Sequence, residues 1–296
     1  MMYIFLFLLG LAFGSFINVI SLRFNPEGEF LFSNAIEGRS HCPYCRKTLS
    51  WYELIPIASY LIQGGRCRSC KKSLTLQYPL IELLTGIIFI AVPWYIINHG
   101  FALFASSLYA YQWPVIVLSA LWIIIFLTLI VLSLIDLKHF IIPDSINLFL
   151  IFLGIIVMAL NYFVFKPENM FSFVGYFSQL FGLAGSIWMN HLIAALIGAV
   201  FFALIIILSR GRAMGWGDFK LIIGLGMIFG WPDIIMILAL SFIIGSIFGL
   251  GLIMKKRKTM KDVLPFGPFL VLASVIVFFF GFDLMSAYFH FFNIIY

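Results

Sequence analysis

Two aspartates stand where an ionised side chain is costly, each at the edge of a long apolar run. Asp218 lies in Gly215-Trp216-Gly217-Asp218-Phe219-Lys220, at the mouth of one run. Asp136 closes another in Leu134-Ile135-Asp136, followed by Lys138-His139-Phe140 and Ile141-Ile142-Pro143-Asp144. An ionisable group in such a place is a functional candidate that needs a partner. Brought together in a poorly solvated place, the two carboxylates would keep one proton between them and titrate as a unit. One could then take a proton from water while the other polarises a carbonyl, a hydrolysis that needs neither metal nor covalent intermediate. Gly215 and Gly217 suit that chemistry, because residues without side chains let a substrate backbone approach and permit angles that others avoid. Lys220 either biases the local field or anchors at the headgroups. The competing reading is that both aspartates only cap helix ends, since the sequence alone brings no two distant residues together. Asp144 is a rival partner for Asp136, and equally an N-cap after Pro143.

The second candidate centre is sulfur. All four cysteines fall in two pairs, Cys42-Pro43-Tyr44-Cys45 and Cys67-Arg68-Ser69-Cys70, with 21 residues between them. Two such knuckles can close a tetrahedral zinc site. Four thiolates leave no open position, so this zinc ion would be structural, and His41 beside them is superfluous. One or two disulfides are the alternative, disfavoured in a cytoplasmic location. Glu82 reads either as a first-turn acid suited to its helix N-terminus or as part of a site. Gly14, Ser15 and Asn18 read as helix packing through small residues or as part of a site at the cytoplasmic end.

The elements that must position these groups are membrane helices. The chain is 63% hydrophobic and 10% charged, against about 25% charge in an ordinary soluble domain. Its many apolar runs of membrane-spanning length predict an all-α polytopic membrane protein with about eight transmembrane helices. A small cytoplasmic domain of zinc-knuckle type, holding the four cysteines, lies between helices 1 and 2. The first helix occupies 1–22, with no basic start and no cleavage site, and so reads as a retained span. The polar block is 23–78. Further spans follow at 79–97, 114–135, 141–160 and 191–208. A run from Asp218 to Met254 is split by Gly230-Trp231-Pro232-Asp233, and a last span covers 263–295. Residues 98–113 read as an outer interface and 161–190 as a mixed, aromatic interfacial segment. Every Lys and Arg except Lys166 falls in 23–78, 136–140, 209–220 or 255–262. That bias puts the N-terminus outside and these segments, with both aspartates and the cysteines, on the cytoplasmic face. The net charge of +6 is therefore a matter of topology, and nothing points to nucleic acid. Gly224, Gly226 and Gly230 follow no strand and form no nucleotide loop; the Gly226/Gly230 spacing suits helix packing. No internal repeat stands out.

Taken in order, the motifs form a series. Gly14-Ser15-Phe16-Ile17-Asn18-Val19 with Arg23 comes first, then the two cysteine pairs with Leu49, Trp51, Pro56 and Ser59 between them. Tyr78-Pro79 with Glu82 and Thr85-Gly86 follows, then Ile135-Asp136 with Pro143-Asp144. Gly215-Trp216-Gly217-Asp218-Phe219-Lys220-Leu221 and Pro265-Phe266-Gly267-Pro268 close it. Over nearly its whole length the chain resembles the bacterial prepilin peptidases, the type IV leader peptidases among the GxGD membrane aspartic proteases. The resemblance implies that Asp136 and Asp218 are the catalytic pair and that Asp144 is not. It implies type IV prepilins or pseudopilins as substrates, cut after a glycine behind their basic leader, at the cytoplasmic side of the inner membrane. Members with the cysteine-bearing loop also N-methylate the new terminal residue with S-adenosyl-L-methionine, an activity to which Glu82, Asn18 and Arg23 are carried over. Residues 23–78 then form the methyltransferase-associated domain and 79–296 the membrane peptidase domain. Trp216 stands where many members have another apolar residue. The alternatives are a peptidase without methyl transfer, and a transporter or membrane scaffold with a zinc-stabilised loop. A transporter would place its acids near mid-membrane in broken helices, whereas these lie at helix ends.

Overall fold

The computed structural model describes residues 1–26, 38–100, 113–164, 172–181, 186–255 and 263–292. The Lys255–Lys261 basic loop beyond its first residue, Lys166, and most of 98–113 lie outside them. Nine α-helices cover most of the described chain: α1 Met2–Arg23, α2 Ala58–Ile62, α3 Gln77–Tyr95, α4 Trp113–His139, α5 Asp144–Val164, α6 Ile187–Ser209, α7 Trp216–Phe229, α8 Asp233–Met254 and α9 Gly267–Phe291. The long ones are apolar on every side, as suits helices that face lipid and protein at once. Seven are long and apolar enough to cross a membrane: α1, α3, α4, α5, α6, α8 and α9. The eighth expected span is α7. At 14 residues it is about 21 Å long, short of the roughly 30 Å hydrocarbon layer.

The helices form two compact units, Met1–Val131 and Leu132–Tyr296, which part inside α4. In the first unit α1 lies against α3. A Cβ on Gly10 would stand 2.8 Å from the Gly86 Cα, so the two backbones approach as closely as glycine allows. In the second unit α7 is held between α5 and α6, and α8 packs on α9. Gly226 makes the α6 contact: a Cβ there would lie 2.5 Å from the Ala195 Cα. Gly226→Ala is therefore expected to cost about 1–3 kcal/mol through overpacking. The readout is the melting temperature in detergent, with Gly251→Ala as control, because nothing lies within 4 Å of that position.

Gly230 ends α7 at φ 77, a backbone region that glycine enters freely. It is therefore a helix terminus as well as a second close contact with α6, since a Cβ there would lie 2.5 Å from Asn190 Oδ1. Polar side chains close this end. The Gly230 N–H donates to Gly226 O, and His191 Nδ1, 2.9 Å from Met227 O, must carry the proton to donate to it. Asn190 holds Trp231 from both sides, accepting its N–H and donating to its carbonyl, each at 2.9 Å. Asp233, fully buried, accepts from the Ser172 hydroxyl (2.8 Å) and the backbone N–H groups of Phe173 (3.0 Å) and Val174 (3.2 Å). The tied segment then lays Phe177 against Phe289, ring centroids 5.0 Å apart, and Phe173 against Phe278 at 4.8 Å. Residues 172–181 thus pack on α9 of their own unit.

Candidate active site and candidate metal centre

In the second unit one helix end and three helix beginnings converge. Asp136 lies in the last turn of α4 and Asp218 in the first turn of α7, and both are buried. The Gly267 N–H, at the start of α9, donates to Asp136 Oδ2 at 3.1 Å. At α7, Gly215 is the N-cap and Asp218 the third helical residue. The Asp218 carboxylate reaches back to accept the Gly215 N–H, which is half of a capping box. Ile142 is the spacer between these beginnings. A Cβ on Gly217 would lie 3.0 Å from Ile142 Cβ, and one on Gly267 would lie 3.4 Å from Ile142 Cδ1. The two carboxylates come within electrostatic reach of one another. Asp218 sits at the N-terminus of α7, whose partial positive charge favours a negative group, whereas Asp136 sits in the last turn of α4 and meets such an end only through the Gly267 N–H of α9. The place is poorly solvated, where such interactions gain strength.

The glycines do not use the permissive backbone angles that the sequence suggested. Gly215 has φ −86 and ψ 156, an extended conformation open to any residue, so no permissive angle is used. Gly217 instead lies close against Ile142. Lys220 Nζ binds both carboxylate oxygens of Asp144, at 2.7 and 2.8 Å. Nothing in the sequence announces this pair. Asp144 opens α5, and with side chains 74% and 45% exposed it and Lys220 form a solvated rim beside the buried aspartates. An exposed pair of this kind is worth about 0–1 kcal/mol.

In the first unit the four sulfurs come together, all within 4.8 Å of one another and unbonded. Cys42 Sγ lies 3.9 Å from Cys70 Sγ. A tetrahedral zinc with Zn–S bonds of about 2.3 Å requires sulfurs about 3.8 Å apart, so the donor set fits the ion. Two copies of one loop make the site. The Cys42 N–H donates to Lys47 O and the Arg46 N–H to Cys42 O, with Arg46 at φ 56. The Cys67 N–H donates to Lys72 O and the Lys71 N–H to Cys67 O, with Lys71 at φ 58. Isolated bridges His41–Thr48 and Arg66–Ser73 close each copy. This is a local internal repeat, contrary to the sequence reading that found none. Backbone N–H groups of Cys70 and Ser69 pull the Cys67 thiol down to about 7. Cys70 accepts the Lys72 N–H, yet desolvation and the neighbouring sulfurs outweigh it and push this thiol up to about 11. Four thiols this close resist joint ionisation, and a divalent cation relieves that conflict.

Glu82 is not a first-turn acid. The helix α3 starts at Gln77 and has no acidic residue in its first turn. Its buried carboxylate instead accepts the Ile57 N–H at 2.7 Å and the Ser15 hydroxyl. Asn18 donates to Tyr78 O at 3.2 Å, and Arg23 Nη2 to Arg39 O at 3.1 Å. Glu82 and Arg23 thereby fasten the polar block to the α1–α3 pair, and Asn18 ties α1 to α3.

Comparison with known proteins gives two matches to family models. Residues 8–96 match the bacterial peptidase A24 N-terminal domain, and residues 123–250 match the type IV leader peptidase family. The chain is similar to a prepilin leader peptidase/N-methyltransferase of Xanthomonas campestris pv. campestris, 32% identical, with 96% of this chain and 93% of the relative covered. The chain belongs to the type IV leader peptidase family. Pseudomonas aeruginosa has a relative of the same description at 30% identity, covering 96% of this chain and 92% of that one. In Bacillus subtilis the figures are 30% identity and 96% of both chains. No solved structure matches the chain. In this leader peptidase family member Asp136, Asp144 and the Gly215–Lys220 motif fall in the second matched stretch, and the cysteines, Asn18, Arg23 and Glu82 in the first.

Proposed function

We propose that this chain is a prepilin leader peptidase that also N-methylates the new N-terminus. The observation that carries the reading is the convergence of Asp136 and Asp218 with three helix N-termini, inside the stretch that the family model matches or just beyond it. The ionised carboxylate takes a proton from a water molecule, whose oxygen adds to the scissile carbonyl. The protonated one donates to the carbonyl oxygen as it gains charge. Collapse breaks the C–N bond, and the proton just taken passes to the leaving amine. The buried setting and the helix N-termini stabilise the charge without reorganising.

The substrates are type IV prepilins or pseudopilins, and the protein is a multi-pass protein of the inner membrane, embedded in the lipid bilayer. The Lys/Arg bias supports an N-terminus outside and an active site facing the cytoplasm. Residues 23–78 carry a structural zinc ion on Cys42, Cys45, Cys67 and Cys70. Methyl transfer, with S-adenosyl-L-methionine as the donor of the methyl group, belongs to this block together with Glu82, Asn18 and Arg23, while 79–296 carries the hydrolysis.

The test incubates purified protein with a prepilin-like peptide and S-adenosylmethionine and reads the products by mass spectrometry. Loss of the leader plus one methyl group on the new terminus is the expected result. An uncut peptide that still binds to folded protein would sink the reading. Asp144→Asn separates rim from centre in the same assay. It is expected to lower kcat/KM by no more than about fivefold, the equivalent of about 1 kcal/mol from one exposed ion pair.

A further inference from the structure

Residues 51–62 of the first unit carry large apolar side chains left exposed among the described residues. Trp51 is 77% exposed, Leu61 69% and Ile62 86%, with Leu54 and Ile55 exposed beside them. On the water side such a patch would be a liability. Its depth is fixed by one bond, from the Ile57 N–H to Glu82 Oε2. Glu82 is the sixth residue of α3, so it stands about 7–8 Å along the helix axis from Gln77. The exposed apolar surface of that end already begins at Leu76 and Leu80. Ile57 is therefore held level with side chains that face lipid, at φ 59, a backbone region that β-branched residues rarely enter. The short helix α2 begins at the next residue. Immediately after α2 comes the second cysteine loop with Arg66, Arg68, Lys71 and Lys72. Arg68 donates to the Tyr52 hydroxyl at 2.6 Å and lies over its ring, which fastens one cation to the rim of the apolar row.

We propose that Trp51–Ile62 is a membrane-seated wedge, docked in the interfacial layer of an anionic lipid surface with the cations of the second cysteine loop at the headgroups. Apolar side chains immersed at the acyl boundary beneath a row of Lys and Arg are the pattern by which segments lie in an interface, and anionic headgroups attract such cations. The occupant is lipid and not the substrate's leader, because the cations that would attract anionic headgroups would repel a basic peptide. The wedge rests on the membrane helices of the first unit and is independent of the peptidase reading.

The test places the full chain in bilayers whose acyl chains are brominated, with and without phosphatidylglycerol. The emission of Trp51 is isolated by subtracting that of Trp51→Phe, since the chain has seven tryptophans. The Trp51 component is expected to lose about half its intensity or more in brominated phosphatidylglycerol bilayers, and less in brominated phosphatidylcholine. Leu61→Ser with Ile62→Ser should restore that emission at unchanged circular dichroism. A Trp51 component untouched by bromolipid and quenched by aqueous acrylamide would overturn the proposal. So would quenching that appears only after a prepilin-like peptide is added, which would give the face to the substrate. Equal quenching in both lipids would overturn its anionic part.

Discussion

Replacing either Asp136 or Asp218 by asparagine is expected to lower kcat/KM for leader cleavage by about 10³-fold or more, the range of a positioned general acid or base. The change is nearly isosteric, and an amide oxygen can still accept the Gly267 N–H at position 136 or the Gly215 N–H at position 218. The local bonding survives while the proton chemistry does not. Melting temperatures should accordingly stay close to the parent value. Each variant should still methylate a pre-cut peptide, because the residues assigned to methyl transfer lie in the other compact unit. Cleavage by the parent should show a bell-shaped pH profile of kcat/KM. Activity needs one carboxyl ionised and one protonated, so it falls at low pH when the base is protonated and at high pH when the acid is lost. Two variants that each keep a tenth or more of the parent rate would show that these carboxylates are not the acid and base.

Cys42→Ser is the second large effect. Bound zinc is expected to fall from one per chain to none, with methyl transfer lost and leader cleavage kept. Structural zinc contributes an apparent 10–16 kcal/mol at neutral pH, roughly, and that binding energy is folding energy for a loop with no other core. The first cysteine loop would lose its order with the ion. The parent's affinity should weaken as pH falls, because the ligands bind as thiolates and protons compete for them. Cys67, near 7, gives up its proton easily, whereas Cys70, near 11, must be stripped by the metal. Zinc binding should therefore release protons at neutral pH, which calorimetry in buffers of different ionisation enthalpy will read. Retention of zinc by Cys42→Ser, or an affinity independent of pH, would remove the four-thiolate site.

The acids and the sulfurs were legible because their types are conspicuous against an apolar background. Asp136 and Asp218 interrupt greasy runs, and a Cys-x-x-Cys pair has few uses. The turn at Gly230-Trp231-Pro232-Asp233 was legible from its backbone-breaking residues. Other parts left no such mark. The Gly267 contact to Asp136 is made by a backbone N–H across 131 positions, and no side chain announces it. Ile142 looks like any lipid-facing isoleucine until the two glycines close on it. Asp233 read as a turn residue because its partners lie about sixty positions away. The position of Glu82 was misread because Tyr78-Pro79 marked the start of α3, whereas the helix accommodates Pro79 in its first turn. The doubled cysteine loop does leave a mark in the sequence. Cys42–Leu49 and Cys67–Leu74 share Cys-x-x-Cys, then Arg or Lys, Lys, Thr or Ser, and Leu, the pattern of a duplicated loop.

The polar closure at the far end of α7 has a mechanical consequence. Sliding this helix along its axis would tear the His191–Met227 and Asn190–Trp231 bonds, whose side chains are buried. The helix is thus pinned at one end like a fixed strut, and Asp218 at its other end keeps a constant height. Whatever motion admits a substrate peptide therefore has to leave Asp218 in place.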